Sequence, residues 1–178
     1  MSKTFTYAVF TALPLSRAWK LFTDIGLWPS FTGLYRDLRW EGEPWQPGSA
    51  ILGRLVHPLP IPLRYVIRRY QPEELAEFIG HSTAAGFATN RSIRFSSAEA
   101  RTQIQTISFG IGSPPLPGGM AEFIGKIQKT FLSGFAEYCD QAAMQEVSPK
   151  RSSFLRMQAA SEVQTASADR RTELGILA

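Results

Sequence analysis

Few side chains in this chain could carry catalytic chemistry. It has two histidines, His57 and His81, and one cysteine, Cys139. Glu77 and His81 share strand parity with Leu75 and Ile79. With that face turned inward, they would set an acid and a titratable base in a pocket. That is the minimum for aldol-type ring closure or dehydration, in which a proton leaves the carbon beside a carbonyl. Tyr65 is an alternative partner for His81. The plainer reading leaves one member of the pair at a strand end, in water. His57 opens a proline-rich hairpin and reads as exposed. No Ser-His-Asp or Cys-His spacing marks a nucleophile. Two histidines and one cysteine do not make a structural zinc site, so neither metal nor cofactor is expected. Cys139 lies one position off an apolar helical stripe and reads as a small buried residue.

A second group of residues is suited to holding a molecule. In the segment 63–71, Leu63, Tyr65, Ile67 and Arg69 alternate onto one face, and Arg64, Val66, Arg68 and Tyr70 onto the other. The first set suggests the concave side. A buried arginine is costly unless paired, so an inward Arg69 implies an anionic partner such as a ligand carboxylate or phenolate. Otherwise these arginines are solvated or paired with glutamates on adjacent strands. Ile79, Ile93 and Phe95 extend the candidate lining. From Met120 onward, Phe123, Ile124, Ile127, Phe131, Phe135, Tyr138 and Ala142 recur at three- and four-residue steps, as one face of a long helix does. That stripe is core, cavity wall, or both. A buried Tyr138 hydroxyl would need a partner.

These residues are positioned by elements that turn chemistry delimits. Phe5, Tyr7 and Val9 alternate along a first strand within 3–13, which Pro14 ends. Ser16 is placed as the N-cap of a short helix containing Trp19 and Phe22, stopped by Gly26, and Trp28 and Phe31 face inward from a second short helix or turn. Strands are expected at 37–43, 49–57, 63–71, 74–82, 87–96 and 101–111, broken by Pro, Gly and Ser clusters and joined as antiparallel hairpins. Ile104 falls on one parity of the last strand and Ile107, Phe109 and Ile111 on the other, which suggests a bulge. The proline-rich loops 57–62 and 113–117 carry apolar tips that could roof a cavity or dock weakly on a membrane or protein.

Composition narrows the class. The chain has 178 residues, 44% hydrophobic and 19% charged, enough for one well-packed domain. The net charge of +4 is spread along the chain, without the basic stripe of a nucleic-acid binder. Apolar runs fall short of the ~20 residues of a membrane span, so no stable insertion is expected. No signal peptide is evident at the start, and one cysteine forms no internal disulfide, which makes the cytoplasm the expected compartment. Residues 1–147 read as the folded domain. Residues 148–178, rich in Ser, Ala, Gln and Arg, read as a flexible tail that could add weak docking.

The run Leu13-Pro14-Leu15-Ser16-Arg17-Ala18-Trp19-Lys20-Leu21-Phe22-Thr23-Asp24 resembles the opening motif of the START and polyketide-cyclase-like superfamily (SRPBCC, Bet v 1-type). Trp28-Pro29-Ser30-Phe31, Pro47-Gly48-Ser49 and Tyr70-Gln71-Pro72-Glu73 resemble later motifs in the same order, and the helix from Met120 matches its long last helix. The resemblance implies an α+β helix-grip fold: a curved seven-stranded antiparallel sheet around the C-terminal helix, with two short helices after strand 1. It also implies an elongated pocket for a hydrophobic small molecule or lipid, held by a carrier or sensor, or else a cofactor-independent cyclase/dehydratase. The oxygenase branch needs Cys/His metal ligands that this sequence lacks. Where many members carry a histidine or acid early in the penultimate strand, this chain reads Thr89-Asn90-Arg91-Ser92.

Overall fold

The structure is a computed structural model that describes residues 4–56, 60–82, 87–111, 119 and 122–145. The proline-rich hairpin tip at 57–59, the turn at 84–86, the loop 112–118, Met120 and the tail 148–178 lie outside the described residues. By contacts the chain divides into a compact unit, Met1–Asp140, and a second unit, Gln141–Ala178.

The first strand, β1 (Thr4–Thr11), alternates as its Phe-Tyr-Val pattern requires. Pro14 caps α1 (Leu15–Thr23), its carbonyl accepting from the Arg17 and Ala18 amides. Ser16 therefore stands inside the helix and is not its N-cap. Ala18, Trp19 and Phe22 form the buried face of α1. The helix ends at Asp24, two residues before Gly26, because the Asp24 carboxylate turns back to accept from the Gly26 amide and starts a 3-10 turn, Ile25–Leu27. The second short helix, α2 (Trp28–Thr32), carries Pro29 in its first turn, where no amide hydrogen is required. Gly33 closes it at φ 65°, a left-handed conformation that suits glycine.

Six strands follow: β2 (Tyr35–Glu41), β3 (Ala50–Leu55), β4 (Ile61–Gln71), β5 (Leu75–Ser82), β6 (Phe87–Ala98) and β7 (Arg101–Ile111). They form one antiparallel sheet in the order β1-β7-β6-β5-β4-β3-β2. β2 to β7 are a meander, and β1 closes the far edge beside β7. Of the long helix α3 (122–145), the part up to Asp140 packs on the inner face of the sheet. Tyr7 of β1 shares a hydrogen bond with Ser133, and the Asp140 carboxylate accepts from the Thr11 hydroxyl at 2.6 Å and from the Ala12 amide at 3.0 Å. This is the α+β helix-grip arrangement that the sequence implied.

Two glycines let α3 approach its neighbours. A Cβ at Gly125 would meet the Phe5 ring at 2.8 Å, and one at Gly134 would strike the Phe31 carbonyl oxygen and Thr32 Cγ2 of α2. Rings fill the middle of the grip. Phe22, Trp28, Phe31, Phe131 and Phe135 touch one another at centroid distances between 4.8 and 6.0 Å. Trp19, Trp45, Tyr70, Phe78 and Phe95 extend this cluster across the sheet.

The strand faces differ from the expected ones in two places. A register shift between Ile67 and Arg69 breaks the β4–β5 ladder. The extra residue reverses the alternation, so Ile67 is buried, Arg69 is exposed, and Tyr70 turns in to stack on Trp45. The bulge expected in β7 is absent. Pairing with β6 and β1 is unbroken over β7, and its inner face reads Thr102, Ile104, Thr106, Ser108, all buried. Ile107 and Phe109 lie on the outer face, and Phe109 is 40% exposed.

Cys139 is fully buried in α3, and that burial, with help from Asp140, pushes its thiol up to about 12. The folded protein thus keeps this proton where the unfolded chain, with a thiol near 9, loses it. The stabilisation is complete below about pH 9 and fades as pH rises from about 9 to about 12. Urea midpoints should therefore fall over that range. Cys139→Ala should flatten the decline, and a thiol reagent at pH 8 should react with the native protein only at its opening rate.

Candidate functional site

The aromatic cluster does not fill the whole grip. Towards the N-terminal half of α3, a cavity of about 60 Å³ remains. Its apolar wall comes from Leu55, Ile61 and Leu63 of β3 and β4, and from Phe123, Ile124 and Ile127 of α3. Its polar wall is Tyr65, Thr89, Arg91 and Gln128. Gly80 makes room for this wall: a Cβ there would lie 2.9 Å from the Tyr65 ring and 3.0 Å from Thr89 Oγ1.

Arg91 is the unusual member. It sits on β6 between Phe78 and Ser108, and it is only 4% exposed. Its Nε donates to Thr106 Oγ1 at 3.4 Å, and its guanidinium carbon stands 5.0 Å from the centre of the Phe131 ring. Its Nη2 has no hydrogen-bond partner, and neither do the buried Tyr35 hydroxyl, Ser108 Oγ and Gln128 Oε1. Among the described residues no carboxylate pairs with Arg91, whereas Arg54 and Arg64 on the surface meet Asp37 and Glu41. Burial raises the Tyr65 phenol well above its usual value, the neighbouring Tyr35 adds to the rise, and Arg91 opposes it. Tyr65 therefore keeps its proton at neutral pH and can donate a hydrogen bond.

The structure separates the residues expected to form one site. Tyr65, Phe123 and Ile127 border the cavity, and Ile124 joins them. Ile67, Ile93, Phe95, Phe131 and Phe135 are inward but buried in packed core. Tyr138 packs on Phe31 and is half-buried. Glu77, Ile79 and His81 share the outer parity of β5, while Ala76, Phe78 and Gly80 of the same strand are buried inside. Glu77 accepts a hydrogen bond from Asn90 at 3.0 Å on that outer face. His81 is exposed and reaches only the cavity rim, opposite Arg64 and Ala88 in the ladder. Glu77 and His81 thus do not present an acid and a base to a common interior space, and Arg69 does not enter it. The residues that do, Arg91 and Gln128, were not among the expected set. Arg91 shares parity with Ile93 and Phe95, and Gln128 lies on the helical stripe between Ile124 and Phe131, so both positions were marked by their neighbours.

No family model matches the sequence, and no curated protein is significantly similar to it. Solved structures are similar in fold. The crystal structure of Ara h 8.0201 matches with a TM-score of 0.64 at 15% identity, over 78% of this chain and 98% of that one. A START superfamily protein from Mycobacterium smegmatis matches with a TM-score of 0.64 at 11% identity, over 78% and 98%. DynU16, from the dynemicin biosynthetic locus, matches with a TM-score of 0.62 at 13% identity, over 78% of this chain and 48% of that one. The protein therefore has the SRPBCC/START-like helix-grip fold. Among the described residues, no helix is long and apolar enough to cross a membrane.

Proposed function

We propose that the protein is a carrier or sensor that binds a hydrophobic small molecule between the sheet and the N-terminal half of α3. The observation that carries this reading is the cavity itself: apolar side chains from both the strands and α3, with a few polar groups among them, the usual composition of a ligand site. The fold shared with a START superfamily protein supports it. At about 60 Å³ the space is far below the roughly 300–1,000 Å³ of a typical ligand pocket. A ligand therefore binds by parting the half-buried Phe123, Ile124 and Ile127 from the strands opposite. In this proposal the binding domain spans 1–147, residues 148–178 are an appended tail, and the protein works in the cytoplasm. A cyclase/dehydratase reading loses its expected pair, because Glu77 and His81 share the outer parity of β5.

Titration of the full chain with N-phenyl-1-naphthylamine tests this reading. Saturable fluorescence enhancement, reversed by octan-1-ol, is the expected result. Ile127→Trp, which fills the cavity, should weaken the probe at least tenfold. A protein that neither binds the probe nor distinguishes this variant has no such site.

A further inference from the structure

We infer that the buried end of the ligand is a monoanionic carboxylate seated on Arg91. This rests on the binding reading above and adds the chemistry of one end. An arginine keeps its charge when buried, and a buried charge without a counter-charge is strongly unfavourable. Arg91 is 4% exposed, lines the cavity, and leaves Nη2 without an acceptor. The Phe131 ring, the Thr106 hydroxyl and the neighbouring Tyr65 phenol compensate only in part, since all three are neutral and the Thr106 hydrogen bond is long.

Acidic groups of β5 and α3 are committed elsewhere. Glu77 faces outward to Asn90, and Asp140 holds Thr11 and the Ala12 amide. Among the described residues none supplies Arg91 with a counter-charge, and in this proposal the ligand brings it. Arg91 is the one arginine or lysine among the described residues that line the cavity. A single negative charge balances it, whereas a phosphate dianion would exceed it. A carboxylate has two oxygens to satisfy. Nη2 of Arg91 serves one. The hydroxyls of Tyr65, which stays protonated, and of Thr89 are donors in the same wall for the other. Gln128 also lines this space, its Oε1 is buried without a partner, and turning the amide exchanges that acceptor for a donor. The apolar remainder of the ligand then lies against Leu63, Ile124 and Ile127.

The test compares octanoate, octan-1-ol and octyl phosphate as displacers of N-phenyl-1-naphthylamine from the full chain at pH 7.5. Octanoate should bind at least tenfold more tightly than octan-1-ol. Arg91→Met should bring the two within about threefold, chiefly by weakening octanoate, and Arg91→Lys should retain most of the preference. Arg91→Met should also melt at a higher temperature than the wild type, since it removes an unpaired buried charge, and that readout confirms that the variant folds. Equal binding of octanoate and octan-1-ol by the wild type overturns the carboxylate seat and leaves the apolar pocket standing. A preference that survives Arg91→Met overturns the role of Arg91, and octyl phosphate binding more tightly than octanoate overturns the choice of carboxylate. Failure of all three to displace the probe removes both the seat and the pocket.

Discussion

Trp28→Ala is expected to lower the unfolding free energy by about 3–5 kcal/mol, the range for deleting a large aromatic side chain from a packed core. Trp28 is 1% exposed and touches Phe22, Tyr35, Phe78 and Phe131, so it joins α2, the sheet and α3 in one contact set. Its indole Nε1 donates to the Phe22 carbonyl at 2.8 Å, which fixes the turn between α1 and α2. The cavity left behind is surrounded by rigid rings and cannot collapse, which places the loss near the top of the range. Trp28→Phe keeps most of the contact and loses the hydrogen bond, so it should cost about 1–2 kcal/mol. Urea unfolding followed by far-UV circular dichroism reads both. A loss below about 1 kcal/mol for the alanine variant would contradict this packing.

Gly134→Ala should destabilise the protein by about 1–3 kcal/mol, the usual cost of forcing extra volume into a packed site. Helix propensity alone predicts the opposite sign, a gain of about 1 kcal/mol for alanine over glycine in a helix interior. Geometry decides between them. The added carbon would meet the backbone carbonyl oxygen of Phe31 and Thr32 Cγ2, and a backbone atom cannot rotate aside as a side-chain tip can. Relief requires α2 and α3 to separate, which opens the Phe31–Phe135 contact at 4.8 Å. A Gly134→Ala variant that is more stable than the wild type would show that the two helices do not lie this close.

The overall plan was legible because turn residues delimit the strands and because α3 keeps one apolar period from Phe123 to Tyr138. The strand faces were harder to read. In β5 the bulky Leu75 and Ile79 argue for one face; Leu75 is buried at the start of the strand, yet beyond it the buried residues are Ala76, Phe78 and Gly80. Gly80 is small because the Tyr65 ring and Thr89 occupy the space above it, and Ala76 is fully buried. Small residues thus mark the core side here, against the usual weight given to size. In β4 one extra residue after Ile67 moved Arg69 out and Tyr70 in. The aromatic at 70, out of phase with Tyr65 and Ile67, was the signal of that bulge. Arg69 is exposed, and the arginine that the sheet buries is Arg91.

The central claim is that a small molecule lies at the α3 end of the grip, and isoleucine-methyl NMR tests it most directly. With selectively labelled protein and added octanoate, the methyls of Ile61, Ile124 and Ile127 should shift most. Ile51 and Ile104, packed in solid core, should barely move. Shifts confined to Ile79 and Ile107 on the outer face of the sheet, with the cavity methyls unmoved, would contradict the account.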